Sequence, residues 1–227
     1  MKERYKRNIK SLTEEENEKL KDFKVCVVGC GGLGGYIVEM LARLGIGYIT
    51  VVDGDTFSES NLNRQLISSE QNLGKSKVYE CKKRIDTVNS EVYINAINKM
   101  IDKDNIYDIL KNHNIVIDAL DNVEYRFILQ DACKNLKIVL IHGAISGWYG
   151  QVSTIYPGDD TLNYLYKSKN INNELGNPSF IPPNIASIQV SETIKVLLNN
   201  GDNLRNKVLL IDLLYNDYNI VNINRSV

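Results

Sequence analysis

Gly29-Cys30-Gly31-Gly32-Leu33-Gly34 is a G-x-G-x-x-G that follows a short apolar run and precedes apolar residues at helical spacing. Glycines there permit a tight turn and a close backbone approach, and a helix N-terminus offers free N–H groups and a positive dipole to phosphate. Asp53 closes the next apolar run, where a carboxylate can accept hydrogen bonds from ribose hydroxyls. The chemistry is that of an adenine nucleotide. At this level a nicotinamide dinucleotide, and so an NAD(P)-dependent oxidoreductase, fits as well as ATP, and a glycine turn without a ligand is the structural alternative.

The elements that must position these residues follow from periodicity. Residues 25–28 and 48–52 are short apolar runs of strand type, and Leu33, Ile37, Met40, Leu41 and Leu44 between them recur at helical spacing, so the segment is a βαβ unit. Val78, Cys81, Ile85 and Val88 mark another helix, and 92–97, 115–119 and 138–141 are three further strands. The alternation predicts an α/β fold with a doubly wound, mostly parallel, Rossmann-like sheet. Beyond Gly150, strand-like 151–156, a polar loop over 161–183, a helix over 186–199 and a hairpin from 208–214 and 219–223 predict an antiparallel C-terminal extension. Residues 10–22 predict a short surface helix. The chain reads as one continuous domain: an N-terminal arm 1–22, a nucleotide-binding part 23–150 and an antiparallel part 151–227 with a crossover loop about 158–183.

The polar segment 53–74 exceeds normal connector length, which points to a functional loop. It holds Asp53-Gly54-Asp55 and Ser60-Asn61-Leu62-Asn63-Arg64-Gln65. Gly74-Lys75-Ser76-Lys77-Val78 comes next, and then Asp118-Ala119-Leu120-Asp121-Asn122 with Arg126 beyond. This ordered series resembles the ThiF/MoeB/HesA family, the bacterial relatives of ubiquitin-activating enzymes. Arg4-Tyr5-Lys6-Arg7, Gly143-Ala144 and Gly150-Gln151-Val152 extend the resemblance over nearly the whole chain.

The resemblance implies an adenylyltransferase that uses ATP to activate the C-terminal glycine carboxylate of a ubiquitin-like sulfur-carrier protein ending in Gly-Gly, releasing pyrophosphate. A carboxylate attacking a negative α-phosphate requires gathered positive charge and no covalent enzyme nucleophile. Arg64 and Lys77 supply that charge, Asn61 and Gln65 can orient phosphate oxygens, and Asp121 at the end of a parallel strand is suited to Mg²⁺, the role the resemblance assigns it. Gly29, Gly31, Gly32, Gly34, Asp53, Asp55 and Asn122 complete the expected nucleotide site. By resemblance Arg7 reaches the ATP of a neighbouring subunit, which implies a homodimer. A module of the same fold that binds ATP without turnover, as sensor or scaffold, is the rival from another functional class. Thiamine, molybdenum cofactor, amino acid, tRNA and peptide pathways are all compatible with this chemistry.

The sequence also departs from the family. Two C-x-x-C pairs that bind zinc in many relatives are missing, so no zinc is expected, and no cysteine follows Cys133 to form a thioester with the carrier. Cys26, Cys30, Cys81 and Cys133 read as reduced thiols, with Cys30 a small side chain tolerated in the glycine loop rather than a redox switch. His113 and His142 read as structural. Tyr164, Tyr166 and Phe180 are candidates to line a channel for the carrier tail or to pack on the domain, and Pro182-Pro183 to stiffen the end of the crossover loop.

Composition bounds the rest. With 27 Lys+Arg against 28 Asp+Glu the chain lacks the basic excess of a nucleic-acid binder, and at 43% apolar it is an ordinary folded protein. No apolar stretch approaches the ~20 residues of a membrane span, and the N-terminus lacks a secretory pattern, so the cytoplasm is the expected location.

Overall fold

The computed structural model describes residues 2–167 and 175–223. Its helices are α1 (Glu14–Lys19), α2 (Gly32–Leu44), α3 (Lys77–Val88), α4 (Ile106–Leu110), α5 (Val123–Leu136), α6 (Thr161–Leu165) and α7 (Ile181–Leu198). Its strands are β1 (Lys24–Val28), β2 (Tyr48–Val52), β3 (Tyr93–Ile97), β4 (Ile115–Asp118), β5 (Val139–Ser146), β6 (Tyr149–Ile155), β7 (Lys207–Asp212) and β8 (Asp217–Asn222). They form one eight-stranded sheet in the order β3-β2-β1-β4-β5-β6-β7-β8. The first five strands pair in parallel and the last three antiparallel, so the α/β architecture with its antiparallel C-terminal extension stands as expected.

The inner parallel strands β1, β2 and β4 are mostly apolar because both faces are covered, and the pleat sends alternate residues to opposite layers. Val25, Val27, Ile115 and Ile117 join the core under α2, α3 and α7. Cys26, Val28 and Val116 join the core under α4, α5 and α6. A connection of order reversal lies between β1 and β4, which leave opposite ways toward β2 and β5, and such a switch point opens a crevice at the carboxyl ends of the strands.

Two boundaries differ from expectation for physical reasons. The loop over 161–183 is interrupted: α6 forms at Thr161–Leu165, anchored by the fully buried Leu162, and α7 starts at Ile181 rather than 186. Pro182 and Pro183 therefore sit in the first turn of a helix, where an N–H has no intrahelical partner and a fixed φ suits the helix. Residues 168–174 of the expected crossover lie outside the described residues. The N-terminal arm is also more broken than one surface helix: a 3-10 turn at Glu3–Asn8, then α1, capped by a reciprocal Thr13–Glu16 box, then a 3-10 turn at Leu20–Asp22.

Candidate active site

The glycine loop is held on three sides. Gly29 N–H donates to Val52 O (2.8 Å), and Ala119 N–H donates to Val28 O (2.9 Å), tying the end of β1 to its neighbours. Gly29 has φ +99°, and a Cβ there would strike the Ala119 carbonyl. A Cβ on Gly34 would strike the Gly29 carbonyl, so Gly34 serves helix-to-loop packing. Gly31 caps α2 without a side chain, and the nearest group to a Cβ on it would be the Gln65 amide at 3.5 Å. Gly31 and Gly32, at this end of α2, border open space.

That space is a cavity of about 770 Å³. Gly29, Gly31, Gly32, Asp53, Asp55, Arg64, Gln65, Lys77 and Asp121 share its wall, so most of the residues singled out in the sequence converge. Asp53 Oδ2 accepts from Cys30 N–H (2.7 Å) and Oδ1 from Asp55 N–H (2.8 Å), so this carboxylate braces the loop while presenting its remaining lone pairs to the cavity. Lys77, buried at the first position of α3, pairs its Nζ with Asp55 Oδ2 at 2.9 Å. Arg64 is held by Ser60 O and Asn63 Oδ1, both at 2.9 Å from Nη1. Gln65 is buried beside the glycine loop, and its Oε1 has no hydrogen-bond partner.

Four expected site residues stand apart from the cavity wall. Asn61 Oδ1 accepts from Ser58 N–H (3.0 Å), and Asn122 Oδ1 caps α5 by accepting from Glu124 and Tyr125 N–H. Short polar side chains beside free backbone donors form such local caps, which is the job both asparagines do here. Gly34 packs behind the loop. Arg7 is exposed in the N-terminal 3-10 turn, where the Tyr5 ring packs over Gly45 and the Tyr5 hydroxyl accepts from Asn89 Nδ2. Gly45 and Asn89 end α2 and α3, so this arm docks at the far end of those helices from the cavity.

A buried polar cluster lies on the cavity wall, and of its members the sequence reading names only Tyr166 as a candidate to line a channel. Arg126, Gln151 and Tyr166 line the cavity, and Asp118 and His142 lie behind them with no exposure. Burial pushes the His142 imidazole below its ordinary value against the pull of Asp118, and burial pushes the Tyr166 phenol up. A signal existed: Asp118 and His142 are polar residues ending apolar strand runs. Tyr166 is thus a packed wall residue, whereas Phe180 stays partly exposed, its ring 4.4 Å from that of Trp148. Tyr164 carries Lys167 over its ring. All four cysteines are buried and unpaired, and the adjacent Cys81 thiol together with burial holds Cys30 well above the ordinary thiol value, so it is no ready nucleophile.

The ThiF family model matches residues 5–226. The chain belongs to the ThiF family. Among its ThiF-type relatives is a molybdopterin-synthase adenylyltransferase of Haemophilus influenzae, 37% identical over 217 residues, covering 92% of this chain and 89% of the relative. A SAMP-activating enzyme E1 of Haloferax volcanii is 30% identical over 220 residues, covering 93% of this chain and 82% of that one. With its ThiF membership and adenylyltransferase relatives, this chain is an adenylyltransferase, and the oxidoreductase reading falls away. The fold matches that of Escherichia coli MccB solved with succinimide, at a TM-score of 0.82 and 23% identity, covering 93% of this chain and 67% of MccB.

Proposed function

We propose that this protein uses ATP and Mg²⁺ to adenylate the C-terminal glycine carboxylate of a ubiquitin-fold sulfur-carrier protein, with release of pyrophosphate, as a cytoplasmic homodimer. The observation that carries the reading is the meeting of a bare glycine cradle, Arg64 and the buried Lys77 on one cavity wall. A phosphate chain fits that set: glycines admit its approach, the α2 N-terminus favours its charge, and two cations flank it.

Gly29, Gly31 and Gly32 would hold the phosphates through backbone N–H groups, Asp53 the ribose, and Arg64, Gln65 and Lys77 the charge that develops as the carboxylate attacks. Asp121 would hold Mg²⁺, which supplies further charge neutralisation at the pyrophosphate leaving group. Asn61 and Asn122 support the site by shaping the turns that carry Arg64 and Asp121. Lys77 suits the reaction because Asp55 fixes its position before substrate arrives, so little reorganisation is left for the transition state. The relatives named for molybdopterin synthase and for SAMP activation support a small carrier protein as the acyl substrate.

The test is ATP–pyrophosphate exchange with the purified protein, Mg²⁺ and candidate carriers ending in Gly-Gly. Exchange is expected only with a cognate carrier, and to vanish when its last glycine is deleted. Tight ATP binding with no exchange under any carrier would overturn the reading in favour of a nucleotide-binding module.

A further inference from the structure

Leu120, the residue before Asp121, has both polar backbone atoms clamped by side chains. Its N–H donates to Asp118 Oδ1 (2.9 Å), and its carbonyl accepts from Arg126 Nη2. Those two side chains are joined to one another, directly by the Arg126 Nε to Asp118 Oδ2 pair at 3.6 Å and again through a buried chain of hydrogen bonds. His142 Nδ1 lies 2.7 Å from Asp118 Oδ2, the Tyr166 hydroxyl 3.3 Å from His142 Nε2, and Arg126 Nη1 2.7 Å from the Tyr166 hydroxyl. Gln151 Nε2 adds a donor to the same hydroxyl at 2.9 Å.

Arg126 and Gln151 can only donate through these nitrogens, so the Tyr166 oxygen accepts from both; His142 Nε2, faced by Gln151 Nε2 at 3.1 Å as well as by the Tyr166 hydroxyl, is the accepting ring nitrogen, and the neutral imidazole gives its Nδ1 proton to Asp118. Five residues from β4, α5, β5, β6 and the end of α6 thus form one buried circuit around the Leu120 backbone, in which Arg126 Nε contributes an ion-pair contact to Asp118 and no hydrogen bond.

We infer that Arg126 and Tyr166 are positioning residues: through the circuit with Asp118 and His142 they fix the Leu120 peptide, set the direction in which Asp121 enters the cavity, and tie that direction to the chain segment that follows β6. This rests on the adenylation reading for its catalytic consequence, though not for its geometry. Tyr166, at the end of α6, lines the same cavity as Asp121, so the α6 wall and the loop that carries Asp121 share one anchor.

The experiment compares wild type with Tyr166→Phe, which removes one hydroxyl, and Arg126→Lys, which keeps the charge and loses the fork. Amide hydrogen exchange in the ligand-free protein reads the geometry: in both variants the Leu120 amide should exchange about tenfold faster or more, with the amides of α2 unchanged. Carrier-dependent pyrophosphate exchange reads the consequence: kcat should fall about 10- to 100-fold with the KM for ATP within about twofold, and the double variant should lose no more than the worse single one. Unchanged protection at Leu120 in Tyr166→Phe would overturn the inference, as would a loss of protection spread evenly over the protein. If wild type shows no exchange with any carrier, the adenylation reading fails, and the amide measurement still decides the positioning role.

Discussion

His142 and His113 show how a residue's surroundings reach the stability of the whole fold. Burial lowers the basicity of both rings: His142 lies inside the sheet against Asp118, and His113 is held between Thr50 Oγ1 at 2.8 Å and Leu110 O at 3.0 Å. In the folded protein each therefore stays neutral below the ordinary histidine value of 6.5, while in the unfolded chain each takes up a proton there. The unfolded state binds more protons in the window from 6.5 down to the folded value, so stability is flat above that window and falls as pH drops through it. The slope is up to about 1.4 kcal/mol per pH unit for each ring. Urea melts at pH 7.5, 6.5 and 5.5 should show little change over the first interval and a clear loss over the second. His142→Gln, whose amide can still donate to Asp118, should reduce that loss, and an equal loss in the variant would remove His142 from the account.

At the scale of elements, the two functions of the glycine loop separate by position. Gly34 faces the Gly29 carbonyl across the start of α2, and a methyl group there cannot be accommodated without moving backbone. Gly32 faces only Pro182, at 3.7 Å from a Cβ, and lines the cavity. Gly34→Ala should accordingly lose at least about 3 kcal/mol of stability by urea melting. Gly32→Ala should fold with near wild-type stability and bind ATP at least about tenfold more weakly, because the methyl group occupies the approach of the phosphates. Equal stability in the two variants would contradict the division. The same element shows what was legible in the sequence. The loop, Asp53, Arg64, Gln65 and Lys77 follow one another along strand, turn and helix starts whose residue types announce them. The circuit around Leu120 was not legible, because residues 118, 126, 142, 151 and 166 share no period and meet only once β5 and β6 have paired and α6 has docked. Asn61 and Asn122 each present an amide oxygen to neighbouring N–H groups, a local cap that residue type alone does not separate from a ligand contact. α6 is too short to announce itself by periodicity, and the proline pair hid the start of α7 because proline ends a helix as readily as it begins one.

At the scale of the whole molecule, the position of Arg7 sets the question of assembly. Its turn is fastened by Tyr5 at the C-terminal ends of α2 and α3, whereas the cavity opens at the N-terminal end of α2. The 13 residues of α2 span about 20 Å between those ends. Two residues of backbone and one arginine side chain do not cover that span, so Arg7 cannot serve the cavity of its own chain while Tyr5 stays docked. A second copy related by a two-fold axis can bring the arginine of each chain to the site of the other, which is the arrangement proposed here. The proposal has a quantitative consequence. Arg7→Ala and Asp121→Ala should each abolish most pyrophosphate exchange when alone. In a mixed dimer of the two, one site combines an intact Asp121 with the intact Arg7 of its partner, and the other site carries both losses. After equal mixing and subunit exchange, half the dimers are mixed and half their sites are whole, so about a quarter of wild-type activity should return. Recovery near that level requires a shared site, whereas activity that stays at the level of the separate variants, with mixed dimers shown to have formed, would place Arg7 outside the reaction.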